Sequence, residues 1–105
     1  MTAMARADLQ AMRRMVEGDA LAAREQVIAA RERFLVLRDE IVPRARELIE
    51  PTLNGYASGQ LPLVSVLEAA RSLWSAEGEL VSARYELGLA WARLERATGT
   101  KGWGP

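Results

Sequence analysis

The stretch GYASGQLP, residues 55–62, is the one place in this chain where helical structure has to stop. It holds two glycines and one proline within eight residues. Glycine permits a left-handed backbone and proline fixes φ, and both help a chain to reverse direction between two helices. The sequence on either side is rich in Ala, Arg, Glu, Leu and Met, which are strong helix formers. We therefore expect a long hairpin with this stretch at its tip.

The predicted fold class is all-α: one antiparallel helical hairpin with a coiled-coil seam of Leu and Ala, assembling into a helical bundle or an α-barrel segment. Its predicted parts are arm one over about 2–55, the tip over about 56–61, arm two over about 62–98 and a tail over 99–105.

Composition limits the functions that this chain can have. Its 105 residues allow one domain at most, and its 14 basic and 14 acidic side chains give no net pull toward nucleic acid. The absence of Cys and His removes thiol nucleophiles, structural zinc and the usual proton shuttle, so we expect neither an enzyme nor a cofactor. There is no apolar run of signal-peptide or membrane-span length, which predicts a cytoplasmic chain if it is expressed as written.

Apolar residues recur every seven positions in arm one and form three columns. Three columns make a wider face than a two-stranded coiled coil needs, so the helix is expected to have more than one neighbour. The columns are Ala20, Val27, Phe34, Ile41 and Leu48; Val16, Ala23, Ala30 and Leu37; and Leu21, Ile28, Leu35, Val42 and Ile49.

Arm two alternates large and small residues in two columns, which lets antiparallel helices approach closely. The predicted register pairs residues whose numbers sum to about 117, so that Phe34 meets Ala83 and Ile41 meets Ala76. A third column, Leu67, Trp74, Val81 and Gly88, lies beside the seam, and we expect Trp74 to be a packing residue. The two seam columns are Val66, Leu73, Leu80, Leu87 and Leu94; and Ala69, Ala76, Ala83, Ala90 and Ala97.

This register leaves roughly the first dozen residues of arm one without a partner in their own chain. We expect self-association as a dimer or a larger oligomer to cover them. Pro43 predicts an interruption of arm one near residues 39–43, because an internal proline loses a hydrogen bond and clashes with the preceding turn. Pro51 leaves two alternatives open: the helix ends there, or a short last segment begins.

Two patterns suggest ligand binding, and each has a simpler explanation. Arg24, Arg31 and Arg38 repeat beside acidic residues, which favours an ion-pair face over an anion-binding ladder. Thioethers are soft ligands suited to Cu(I), but methionine is more often a gap filler on an apolar face, so a metal site is a minor hypothesis. Its candidate residues are Met4, Met12 and Met15.

The tip and arm two resemble the TolC-type outer-membrane efflux channels, which show Tyr-x-x-Gly, then Val-Leu-Asp/Glu-Ala-x-x-x-Leu-x-x-Ala, then spaced alanines. The segment IVPRA, residues 41–45, is similar to the Ile-Leu-Pro-x-Ala of the heavy-metal branch of that family. The matching positions at the tip and in arm two are Tyr56, Gly59, Val66, Leu67, Glu68, Ala69, Leu73, Ala76, Ala83, Ala90, Leu94 and Gly99.

The resemblance implies the C-terminal hairpin of a periplasmic α-barrel formed by three protomers, an outer membrane factor in efflux transport. The tip would form the closable channel entrance and meet a periplasmic adaptor protein that serves an inner-membrane pump. The implied docking and gating residues are Tyr56, Gly59, Gln60, Leu61 and Glu68. Leu61 stands where some members carry an arginine, and Ser65 stands at a second acidic position.

The chain matches only about the last quarter of such a channel, and the resemblance places it in the periplasm or at the outer membrane. We do not expect it to insert into a membrane alone. The alternative is a helical-hairpin oligomerisation or interaction module without transport activity.

Overall fold

The computed structural model of the chain describes residues 2–99, which form two long antiparallel arms. Arm one consists of α1 (Ala3–Val36), a π-turn (Leu37–Ile41), α2 (Val42–Glu47) and α3 (Ile49–Ala57). Arm two is the single helix α4 (Leu63–Thr98). No strand occurs among residues 2–99, and the molecule is a rod of 83 × 29 × 14 Å. The predicted all-α hairpin is confirmed. Of the predicted tail, residues 100–105 lie outside the described part.

Local chemistry explains where the arms begin and end. The Thr2 hydroxyl accepts a 3.1 Å hydrogen bond from the Ala5 N–H and caps the first turn of α1. Pro62 precedes α4 in an extended conformation, and Gly99 ends α4 with a left-handed φ of 71°. Pro51 is the third residue of α3, in the first turn, where an N–H has no helical partner. Arm one therefore continues past Pro51 as a separate last segment.

The interruption predicted at Pro43 takes the form of the π-turn. The Val42 N–H donates to the Leu37 carbonyl, five residues back, and so one extra residue enters the helix just before the proline. That insertion rotates everything after it. Val42 lies in the seam at 4% exposure, whereas Ile41 and Leu48 are 41% and 60% exposed. The predicted pairing of Ile41 with Ala76 is therefore wrong, and so is the pairing of Leu48 with Ala69 that the same sum of 117 predicts.

Before the π-turn, the seam has the predicted register. The guanidinium of Arg84 lies 5.6 Å from the centre of the Phe34 ring, which places Phe34 beside the Ala83 turn of α4. One residue earlier, Arg33 Nη1 lies 2.7 Å from Glu86 Oε2 across the two arms. The buried residues on the described chain are all apolar, and small ones predominate on α4: Ala23, Val27, Leu37, Val42, Ala76, Ala83 and Ala90.

Arm one extends beyond arm two at the end opposite the tip. The 36 residues of α4 span about 54 Å at 1.5 Å per residue, much less than the 83 Å of the rod. Residues 2–19 are all exposed, including Met4, Met12 and Val16. The unpartnered start of arm one is thus a feature of the fold, and we call residues 2–19 the overhang. Within residues 2–99, no helix is long and apolar enough to span a bilayer.

Candidate functional site

Backbone hydrogen bonds close the tip. The Gln60 N–H donates to the Gly55 carbonyl at 2.8 Å, and the Gly59 N–H donates to the Tyr56 carbonyl at 3.0 Å. Together with the left-handed φ of 80° at Gly59, these two bonds define a Schellman motif at the end of α3. Glycine adopts this conformation without the steric cost that a Cβ brings. The Tyr-x-x-Gly spacing is thus explained locally, because Gly59 stands where the turn needs glycine.

Leu61 folds back over the last turns of α3. Its N–H donates to the Gly55 carbonyl at 3.0 Å, and its Cδ1 lies 2.6 Å from the point where a Cβ on residue 55 would stand. The Ser58 hydroxyl also donates to the Gly55 carbonyl, at 3.1 Å. Gly55 therefore allows the Leu61 side chain to approach closely, and this apolar contact helps to hold the turn together.

The other predicted tip residues point functional groups outward. Tyr56 is 45% exposed, and Gln60 and Glu68 are also exposed. In the described part of the chain, no side-chain hydrogen bond joins these three residues to each other or to any neighbour. A shallow groove beside them is lined by Pro51, Asn54, Gly55, Ser58, Gln60 and Leu61. The tip thus presents a phenol, an amide and an apolar patch, all available to a partner.

Met4, Met12 and Met15 do not converge on a single metal ion within one chain. Met4, Met12 and Met15 are 76%, 64% and 67% exposed on the overhang. Eight residues of α-helix separate Met4 from Met12 by about 12 Å, too far for their sulfurs to share one ion. Nor do residues 2–99 contain a cluster of His, Cys, Asp or Glu suited to a metal. These side chains are better described as part of an uncovered apolar surface.

Among the repeating arginines Arg24, Arg31 and Arg38, only Arg38 forms an ion pair within residues 2–99, whereas two other arginines pair across the arms. Arg46 pairs with Glu77 at 3.2 Å across the arms, in addition to the pair of Arg33 with Glu86. Arg38 instead donates two hydrogen bonds to its neighbour Asp39, which lower the pKa of that carboxyl. The two ion pairs between the arms are largely exposed, so they help to fix the register of the arms more than they stabilise the fold.

A second uncovered apolar surface lies along α4, away from the seam. Trp74 and Tyr85 are each 68% exposed and Val81 is 66% exposed. Trp74, which we expect to be a packing residue, therefore does not pack within its own hairpin. Sequence reasoning found the column that contains Trp74 and Val81 but missed Tyr85. The signal was present, because Tyr85 follows Val81 by one helical turn.

The chain matches no protein-family model, and no curated protein or solved structure is significantly similar to it. The resemblance to TolC-type channels therefore depends on the sequence motifs at residues 41–45, at the tip and in arm two.

Proposed function

We propose that this chain is a docking hairpin of the TolC type, whose tip binds a periplasmic adaptor protein in an efflux assembly. In that assembly, three protomers would form the channel, and the tips would surround its entrance. The proposal locates the chain in the periplasm and assigns it no catalysis. Tyr56, Gln60 and Glu68 would supply polar contacts to the adaptor, and Gly59 and Leu61 would hold the turn in shape.

The closed tip is the observation that supports this proposal best. Backbone hydrogen bonds and the packing of Leu61 on Gly55 hold the turn together, so the side chains of Tyr56 and Gln60 are not needed for this. They stand at one end of an 83 Å rod, where two rods can meet end to end. An exposed aromatic side chain on a rigid turn is a favourable anchor for a protein interface.

The two tyrosines of the chain allow a matched test. Tyr56 is at the tip, whereas Tyr85 is on the shaft of α4. The full chain would be immobilised and titrated with purified periplasmic adaptors of the heavy-metal efflux class. We expect Tyr56→Ala to weaken binding at least tenfold and Tyr85→Ala to leave it unchanged. Absence of binding by the unmodified chain, or equal loss with both variants, would contradict tip docking.

The second candidate is a self-assembling helical module without a transport role. The exposed apolar surface of α4 favours it, since a face with this much uncovered aromatic area is typical of protein interfaces. Light scattering of the pure chain at micromolar concentration should then give at least twice the 11.6 kDa monomer mass. A well-folded monomer would contradict any self-association.

A further inference from the structure

A continuous apolar stripe runs along the side of α4 that faces away from arm one. Its bulky members are about half exposed or more, from 46% at Leu67 to 68% at Trp74. The stripe extends for about 44 Å at 1.5 Å per residue and contains no charged residue. We call it the α4 stripe. It consists of Leu63, Leu67, Ala70, Trp74, Gly78, Val81, Tyr85, Gly88 and Ala92.

The order of side chains along the α4 stripe is self-complementary. When residues are paired so that their numbers sum to 155, every pair joins a larger side chain to a smaller one. The midpoint of this pairing falls between Glu77 and Gly78. The Glu77 carboxylate there already accepts a hydrogen bond from Arg46 of its own chain, so its charge has a partner. The four pairs are Leu63 with Ala92, Leu67 with Gly88, Tyr85 with Ala70, and Trp74 with Val81.

A two-fold contact between identical chains requires this property, because residue i of one copy must fit residue j of the other and the reverse. We infer that the α4 stripe is the contact surface of an antiparallel homodimer, in which Trp74 of one copy packs against Val81 of the second. The glycines help: a Cβ at Gly78 or Gly88 would meet nothing within 4 Å in the single chain, so both sites are open to a second helix. Arg71 would then lie beside Tyr85 of the second copy, an arrangement suited to a cation–π contact.

The exposed area agrees with a dimer. From their exposed fractions, the five bulky side chains of the stripe offer about 600 Å² per copy, and covering most of it in both copies removes about 1,000 Å². That is about the smallest buried area expected of a biological interface, and below the area of about 1,200 Å² at which stable interfaces begin. The hairpin also needs such a contact, since its own seam buries only small and medium-sized side chains. This inference rests on the second candidate function, self-assembly through α4, and not on the docking role of the tip. An antiparallel dimer points its two tips in opposite directions, so it would have to dissociate before three protomers could surround one channel entrance.

Sedimentation equilibrium of the full chain tests the contact. We expect a dimer that dissociates at least tenfold more readily in Val81→Glu, because a carboxylate would then face the Trp74 ring of the second copy. Leu21→Glu is the matched control: Leu21 is 60% exposed on α1, outside the α4 stripe, and the variant should still dimerise. Circular dichroism would show whether each variant keeps its helices. A monomeric wild type, or equal effects of the two variants, would overturn the inference.

Disulfide trapping tests the orientation without disturbing the fold, since the chain has no cysteine of its own. Gly78→Cys should cross-link with itself near the two-fold axis. Leu63→Cys should not, but it should cross-link with Ala92→Cys when the two variants are mixed. Self-linking of Leu63→Cys would indicate a parallel dimer and overturn the inference. Oligomers larger than dimers that form no link between residues 63 and 92 would also overturn the inference. They would indicate that α1 of one copy packs on α4 of the next.

Discussion

The side chain of Leu61 occupies the space that a Cβ on Gly55 would need, with only 2.6 Å between Leu61 Cδ1 and that position. The relationship joins the end of arm one to Leu61, which lies two residues before arm two begins. It makes the tip a packed turn, and its two partners can be tested separately.

Gly55→Ala should lower the melting temperature, because Leu61 must swing away from α3 and lose its packing. In a Leu61→Ala background, Gly55→Ala should instead raise the melting temperature, since Ala is favoured over Gly by about 1 kcal/mol within a helix. Urea denaturation of the two single variants and the double variant would measure this coupling. Additive effects would show that Leu61 does not pack on Gly55.

Gly59→Ala should destabilise the hairpin by about 1 kcal/mol, because a Cβ is unfavourable at a φ of 80°. Gly18→Ala is the matched control. Gly18 lies within α1 with open space around it, so the same change there should raise helicity. Thermal unfolding followed by circular dichroism would compare the two. A stabilising effect at residue 59 would contradict the left-handed turn.

Val42→Ala should destabilise the protein more than Ile41→Ala, although isoleucine is the larger residue. Val42 is buried in the seam, so removing two methyl groups and leaving a cavity costs about 2 kcal/mol. Ile41 is 41% exposed and should cost less. Free energies of unfolding from urea titrations would rank them. The opposite order would indicate that the π-turn does not shift the face.

Phe34→Ala should destabilise the hairpin strongly, and Phe34→Leu should do so mildly. Phe34 is half buried in the seam, and the guanidinium groups of Arg38 and Arg84 lie 5.5 and 5.6 Å from its ring centre. Leucine keeps most of the apolar contact but has no π-face for the cations. Melting temperatures at low and high salt would separate the two contributions, because Phe34→Ala should lose both and Phe34→Leu only the salt-sensitive one. A loss as large for leucine as for alanine would contradict seam packing.

Stability should be almost constant between pH 5.5 and 8, because the chain has no His or Cys to titrate there. The pKa of Asp39 is lowered by its hydrogen bond from Arg38, so its stabilising contribution is present above the unfolded-state pKa of about 3.9. It is lost as the pH falls through the lower folded-state value. Melting temperatures from pH 2 to 8 would show this acid loss, and Asp39→Asn should reduce it.

The hairpin was predictable because its determinants are local. Heptad spacing places Phe34 opposite the Ala83 turn, and the Gly and Pro residues of the tip mark where the chain reverses. The overhang followed from counting residues along the two arms. At the candidate site, the sequence located Tyr56, Gly59 and Leu61 at the tip. Only the structure showed that Tyr56 is exposed, whereas Gly59 and Leu61 form the turn. The docking role of the tip stays a prediction.

What the sequence determined by itself was the all-α class, the place of the turn and the register of α1 against α4, since helical periodicity and backbone preferences act over a few residues. Only the tertiary structure decided which residues after Pro43 enter the seam, because a one-residue π insertion rotates the whole helix beyond it. It also decided that Trp74 faces outward. A helix with several apolar columns can turn only some of them toward a single partner, and the packing of the two arms selects which.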